Sequence, residues 1–253
     1  LGHEQRASLH YQKLNSLTTV PFEIKLQMAD YWRLKGRPLK AEDVLRTAVG
    51  HDPENRLLQE RLAELLMDQG AFHEALKVVQ SLLEGPIQSA YLQKMEVECL
   101  LSLDALDSAQ ERLAAMQQSL ADDSDVLLLK GKLNLLLGNI TQAVGLFETA
   151  EDMEPLHMQV AHYLKGVALL RAGNIHLAEK ELVRALARDP HFSRAELLLA
   201  GIDFVQDNLS DALEYLQRVI DREPENVNAH LLKGVVLLAA DRSDDALQSF
   251  VMA

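Results

Sequence analysis

The residues best equipped for chemistry in this chain are few and poorly spaced for it. His157 and His162 stand five apart, whereas joint ligands on one helix sit three or four apart and face the same way. Both are expected as surface histidines. Lys130-Gly131-Lys132 has the ending of a phosphate loop, yet the glycine required five residues before Gly131 is replaced by Val126, so the loop that would cradle a phosphate is missing. Gly131 is expected to be a helix-packing glycine instead. Cys99 is the single cysteine, which excludes an internal disulfide or a site built on several thiolates. It reads as a small buried hydrophobe within a helix. Trp32 is expected to pack within its own repeat. The run Asp122-Asp123-Ser124-Asp125 reads as a solvated helix start, where acidic groups complement the helix dipole. No nucleophile, base and orienting group converge, so the reading is a non-enzymatic protein with no cofactor and no metal.

Charge narrows the partners. Against 38 Asp and Glu stand 25 Lys and Arg, a net charge of −13, so a phosphate backbone would be repelled rather than bound through counterion release. A nucleic-acid partner is excluded on that ground. The apolar run Val235–Ala240 is six residues long, far short of the ~18 needed for a membrane span. With 48% hydrophobic residues but only 5% aromatic ones, the apolar content is largely Leu, Ala and Val, which favours helices over strands.

The elements that position these residues announce themselves through a repeat. Alanines stand at Ala7, Ala41, Ala75, Ala109, Ala143, Ala178, Ala212 and Ala246, every spacing being 34 except one of 35. Four residues after each comes Tyr11, Leu45, Val79, Leu113, Phe147, Leu182, Leu216 or Phe250, and seven after comes a further apolar residue such as Leu82, Ala150 or Val219. Offsets of 0, 4 and 7 define one face of a helix. Five residues before each alanine stands Gly2, Gly36, Gly70, Asp104, Gly138, Gly173, Asp207 or Asp241, residue types that tolerate the positive φ of a helix-ending turn. Twelve before it sits Ala29, Ala63, Val97, Gly131, Gly166, Ala200 or Gly234, small enough in most cases for two helices to approach closely. Pro53, Pro86, Pro155, Pro190 and Pro224 then mark the exits, where a helix cannot continue.

This pattern resembles the tetratricopeptide repeat, whose hairpins carry a small residue in helix A, a turn glycine, an alanine in helix B and a terminal proline. The stretch Tyr163–Asn174, followed by Ala178, Leu182, Ala185, Asp189 and Pro190, matches closely. The resemblance implies an all-α, right-handed α-solenoid of helix-turn-helix repeats covering 1–253 as a single array. The expected units are a partial repeat with helix B only over 1–21, full repeats over 22–55, 56–89, 90–123, 124–158, 159–192 and 193–226, and a truncated repeat over 227–253. The segment 90–123 departs most, with Val97 for the small residue and Asp104 for the glycine. Asp123 or Ser124 is expected to cap the helix that follows it. The single 35-residue spacing places an extra residue near His157. Both termini cut through repeats, so the chain is expected to be a piece of a longer array. The Leu-Lys-Gly triplets at Leu129, Leu164 and Leu232 are similar to those of large bacterial envelope proteins, including exopolysaccharide and PEP-CTERM systems.

In that family the A helices line a concave surface, read at three before and one, four and five after the small position. The N-terminal half is then polar, with Asp30, Arg33, Glu60, Glu64, Asp68, Lys94 and Glu98. The C-terminal half is apolar: Leu128, Lys132 and Leu135; Tyr163, Val167, Leu170 and Arg171; Leu197 and Phe204; Leu231, Val235 and Leu238. Large apolar strips mark interaction sites, and the resemblance implies a protein or peptide partner. Tyr163, Leu170, Leu197, Phe204 and Leu231 are expected as anchors, with Lys132, Arg171 and Arg194 orienting an acidic flank. Three other readings of the strip stand beside this one: packing between adjacent A helices, packing against further repeats of a longer array, and an interface between copies of the chain. Neither the Lys and Asn pair of the cochaperone clamp nor the asparagine ladder for extended peptides is present at the matching positions.

Overall fold

A computed structural model of the chain describes residues 20–85, 89–117, 120, 123–153 and 158–253. Most of the half-repeat expected over 1–21, and Pro86, Asp122, Pro155 and His157, lie outside the described residues. So does the extra residue expected near His157. Fourteen α-helices and no strand are found among the described residues.

The turn chemistry sets this pattern. Gly36, Gly70, Gly138 and Gly173 have φ between 62° and 82°, and Asp104, Asp207 and Asp241 have φ of 58°, 65° and 57°. These are the positions that the spacing marked for turns. In each of six turns the residue after the left-handed one donates its N–H five residues back, as Arg37 does to Trp32 O at 2.9 Å and Asn208 to Asp203 O at 2.8 Å. That bond satisfies a carbonyl the helix end would otherwise leave open. Three helix starts are capped by side chains: Asn55, Asp123 and Asn226 accept from the N–H groups of Leu58, Val126 and Ala229. Asp123 is thus the cap, and Ser124 is the first residue of its helix.

The helices fall into two compact units divided between Leu103 and Asp104. The division lies inside the 90–123 segment. The first unit holds α1 (Phe22–Leu34), α2 (Pro38–His51), α3 (Arg56–Asp68), α4 (Phe72–Leu83) and α5 (Ala90–Ser102). Each helix packs on the next, and α1 also touches α3. Trp32 and Cys99 are buried in its core, where burial pushes the Cys99 thiol up to about 12. A thiol so rarely ionised is a packing group.

The second unit holds α6 (Leu106–Gln117), α7 (Ser124–Leu136), α8 (Ile140–Met153), α9 (Met158–Arg171) and α10 (Ile175–Arg188), followed by α11 (Ser193–Val205), α12 (Leu209–Arg222), α13 (Val227–Ala239) and α14 (Ser243–Val251). Consecutive helices again pack together, while α7 touches α9 and α11 touches α13. Helices of one kind therefore form one layer and their hairpin partners the other, the arrangement of an α-solenoid. Gly131 is buried in α7, as a packing glycine.

One expectation is corrected. His162 is 4% exposed, not a surface histidine. Its Nδ1 lies 2.7 Å from Glu181 Oε2 on α10 and its Nε2 lies 3.5 Å from Glu151 Oε1 on α8. Lys165, also buried, pairs with Glu151 and stands 3.3 Å from Glu181. Apolar periodicity does not reveal such a site, because the partners that make burial tolerable come from two other helices.

Candidate partner-binding face

The A helices of the two units present different surfaces. In the first unit charges are already engaged. Arg33 on α1 lies 4.0 Å from Glu64 and 3.9 Å from Asp68 on α3. Arg61 Nη1 stands 2.8 Å from Glu64 Oε2, and the Tyr91 hydroxyl of α5 donates to the same carboxylate. Burial, and then that carboxylate, push the Tyr91 hydroxyl well above its ordinary value. Half-exposed pairs of this sort add little stability, but they leave the face laced with its own ions.

The second unit differs because α7, α9, α11 and α13 place apolar side chains where the first places ions. Leu128 and Leu135 are buried in the core with Ala143, Phe147 and Ala161. They pack rather than offer surface, because α7 comes close enough to α9 for Tyr163 and Val167 to cover the same core. Lys132 is half-buried and Arg171 exposed. Arg171 Nη1 donates to Leu135 O at 3.0 Å, a tie from α9 to the last turn of α7 that satisfies a helix-end carbonyl.

Further along, Tyr163, Val167, Leu170, Leu197 and Phe204 are half-buried and Arg194 is exposed. Leu231, Val235 and Leu238 on α13 are 44%, 41% and 49% exposed. Their offsets of 0, 4 and 7 put all three on one face. Val205, at the end of α11, is 72% exposed. The exposed stripe lies on α13, the last A helix of the given sequence, which no following A helix packs against, as α9 packs on α7 and α13 on α11.

Phe192 is a member of this face that the sequence reading missed. It sits in the turn before α11, outside the helical register, and meets the Tyr163 ring edge-on with centroids 5.3 Å apart and planes at 79°. Arg194 is close enough to Tyr163 for its charge to act on the hydroxyl, whose burial otherwise pushes it above its ordinary value. No sequence signal marks Phe192, since its offset belongs to a turn. Among the described residues no group of three or more His, Cys, Asp or Glu is placed to hold a metal, and no helix is long and apolar enough to cross a membrane.

Comparisons with known proteins agree with this architecture. Residues 163–208 and 203–252 match one family model described as tetratricopeptide repeat, and residues 33–96 match a second with the same description. Together they span more than half of the chain. Coatomer subunit epsilon-1 of Arabidopsis thaliana is 26% identical over 201 residues, 78% of this chain and 64% of that protein. The chain thus spans less than two thirds of the length of that relative. Among solved structures, the APC/C hetero-tetramer Cut9-Hcn1 has a TM-score of 0.64 at 15% identity, covering 97% of this chain and 48% of that one. A tetratricopeptide repeat protein from Parabacteroides merdae ATCC 43184 has a TM-score of 0.57 at 19% identity, with 91% of each chain covered. PilW, a type IV pilus biogenesis factor, reaches 0.57 at 22% identity over 78% of this chain and 90% of that one. At these identities the likeness is one of fold.

Proposed function

The chain belongs to the tetratricopeptide repeat family, and from that premise we propose that its second unit holds an apolar or amphipathic segment of a partner protein against α9, α11 and α13. The molecule is a protein-interaction scaffold. Stacked hairpins offer a preformed surface, so binding orders the partner more than the scaffold and less entropy is lost. We assign the chain no catalytic step. Its repeat boundaries are those read from the spacing, and its partner is a protein or peptide rather than a nucleic acid.

The observation that carries this reading is the apolar row of half-buried Tyr163, Leu170, Leu197 and Phe204 on α9 and α11, which Leu231, Val235 and Leu238 continue on α13, the last A helix of the given sequence. Contiguous apolar surface in water costs free energy that a covering partner removes. The test is selection from a displayed random-peptide library with the wild-type chain and with Leu231→Asp/Leu238→Asp. Both positions are exposed, so circular dichroism should show unchanged helicity. Wild type should enrich sequences with apolar residues at helical spacing and the variant should not. Identical selections by both chains would place the binding surface elsewhere. Self-assembly through the same stripe is the competing reading, and light scattering separates the two: a concentration-dependent dimer abolished by the same pair of substitutions supports self-assembly.

A further inference from the structure

The turn between α1 and α2 differs in chemistry from every turn that follows it. Residues 33–40 hold four cations, Arg33, Lys35, Arg37 and Lys40, and no carboxylate, in a chain whose net charge is −13. The matching stretches 67–74, 101–108, 204–211 and 238–245 each carry more Asp and Glu than Lys and Arg, and 135–142 and 170–177 carry at most one Lys or Arg. Among these cations stand Leu34 and Leu39, 85% and 66% exposed. The position of Leu39 is polar in each of the six hairpins that follow, as His73, Asp107, Thr141, His176, Ser210 and Asp244. It is therefore not a position that stacking of repeats buries. Hydrogen bonds and a ring contact draw the segment to one edge. Gly36 takes a φ of 62°, Arg37 donates its N–H to Trp32 O at 2.9 Å, and the Lys40 ammonium reaches back across the turn to lie 4.5 Å from the centre of the Trp32 ring. That contact orients the Lys40 cation and leaves its charge in place. Arg33 is half-exposed and stands at the limit of an ion pair, 4.0 Å from Glu64 and 3.9 Å from Asp68, while Glu42, just beyond the turn, is taken up by Arg46.

We propose that this turn is a membrane-contact site, at which Leu34 and Leu39 enter the interface of a bilayer while the surrounding cations meet its anionic headgroups. Attachment to an anionic leaflet scales with the apolar area buried plus the attraction of Lys and Arg to the lipid charge, and the turn supplies both within eight residues. The two leucines protrude from the tip of a turn rather than line a groove, a shape that a fluid interface covers without a complementary pocket. An acidic protein would meet the cations but leave the leucines in water. The acidic remainder of the chain is repelled by the same headgroups, so contact is confined to the turn.

The test is sedimentation of the full chain with vesicles of phosphatidylcholine alone or of phosphatidylcholine mixed with phosphatidylglycerol. Wild type should pellet only with the vesicles that contain phosphatidylglycerol. Lys35→Gln/Lys40→Gln and Leu34→Ser/Leu39→Ser should each weaken that binding about tenfold or more, the range expected for two interfacial cations or two buried leucines. Val205→Ser removes a side chain that is 72% exposed in an acidic turn and should bind as wild type does. All five side chains are exposed, so circular dichroism should show unchanged helicity. A second readout needs no loss of binding: with Cys99 buried, a polarity-sensitive fluorophore on Leu34→Cys should shift to the blue with phosphatidylglycerol vesicles, whereas one on Val205→Cys should not. Failure to bind either vesicle, equal binding to both, or binding untouched by either pair of substitutions would overturn the proposal. So would binding that needs the lysines but not the leucines, with no shift of the label at position 34, which is electrostatic adsorption alone. Binding to soluble polyglutamate as tight as to the vesicles, and indifferent to the leucine pair, would assign the turn to an acidic protein and overturn it as well.

Discussion

Gly131 on α7 and Phe147 on α8 share one volume: a Cβ added to Gly131 would lie 2.2 Å from Phe147 Cε1. The same relation holds sixteen residues apart elsewhere in the second unit, where a Cβ at Gly234 would meet Phe250 at 2.3 Å and one at Gly166 would meet Leu182 at 2.9 Å. At the matching positions Ala29 stands with Leu45 and Ala200 with Leu216. Both phenylalanines thus stand opposite glycine, which leaves the room that a bulky ring needs in a close-packed crossing, although Gly166 stands opposite the smaller Leu182.

Gly131→Ala should therefore destabilise the chain by about 1–3 kcal/mol through overpacking, despite the better helix propensity of alanine. Adding Phe147→Leu should recover much of the loss by restoring the Ala and Leu pairing used at Ala29 and Leu45. Urea denaturation of the two single variants and the double gives the coupling. Simple additivity would show that the two side chains do not share a site.

Asp207 and Asp241 hold left-handed turns at φ of 65° and 57°, a region that costs a residue bearing a Cβ about 1–2 kcal/mol, less for Asp. A β-branched residue has no local hydrogen bonding to offset the clash. Asp207→Val should lower the melting temperature clearly, whereas Asp207→Gly should match or exceed wild type. Equal melting temperatures for the Val and Gly variants would contradict the turn geometry.

Glu196 is 1% exposed, is paired with Arg222, and lies 3.5 Å from Arg218 Nε. Removing Arg222 leaves a buried carboxylate with only a partial counterion, so Arg222→Met should cost about 3 kcal/mol. Glu196→Met/Arg222→Met should cost much less, since no unpaired charge remains. Equilibrium unfolding distinguishes the two outcomes, and a double variant as unstable as Arg222→Met would refute the charge argument.

Glu181 supplies a pH dependence. Burial pushes its carboxyl upward, but hydrogen bonds and charge from His162 and Lys165 outweigh burial and hold it below its ordinary 4.5. A carboxyl depressed in the folded state contributes stability at every pH above its unfolded value, and that contribution is lost as pH falls through the folded value. Wild type should therefore lose this share of its stability progressively below about pH 5. Glu181→Gln should be less stable at pH 7 and show a shallower acid limb in urea midpoints. Parallel pH profiles for the two proteins would remove Glu181 from the explanation.

The amino-acid sequence by itself settled the helices, their turns and which residues face one another across a hairpin. These features are local: a residue twelve before an alanine and one four after it are brought together by one tight turn, and a positive φ is demanded wherever that turn occurs. Asp104, Asp207 and Asp241 were legible as turn residues for this reason. Tertiary structure decided what the spacing could not reach. Leu128 and Leu135 share the register of Leu231 and Leu238, yet the first pair is buried and the second exposed, because α9 packs over α7 whereas α13 is the last A helix of the given sequence. His162 is buried by Glu151 and Glu181 from helices on either side of its own, and Phe192 reaches Tyr163 from a turn. Periodicity reports the face on which a side chain stands. What covers that face is decided by residues distant in the chain, whose packing and charge carry no local signature.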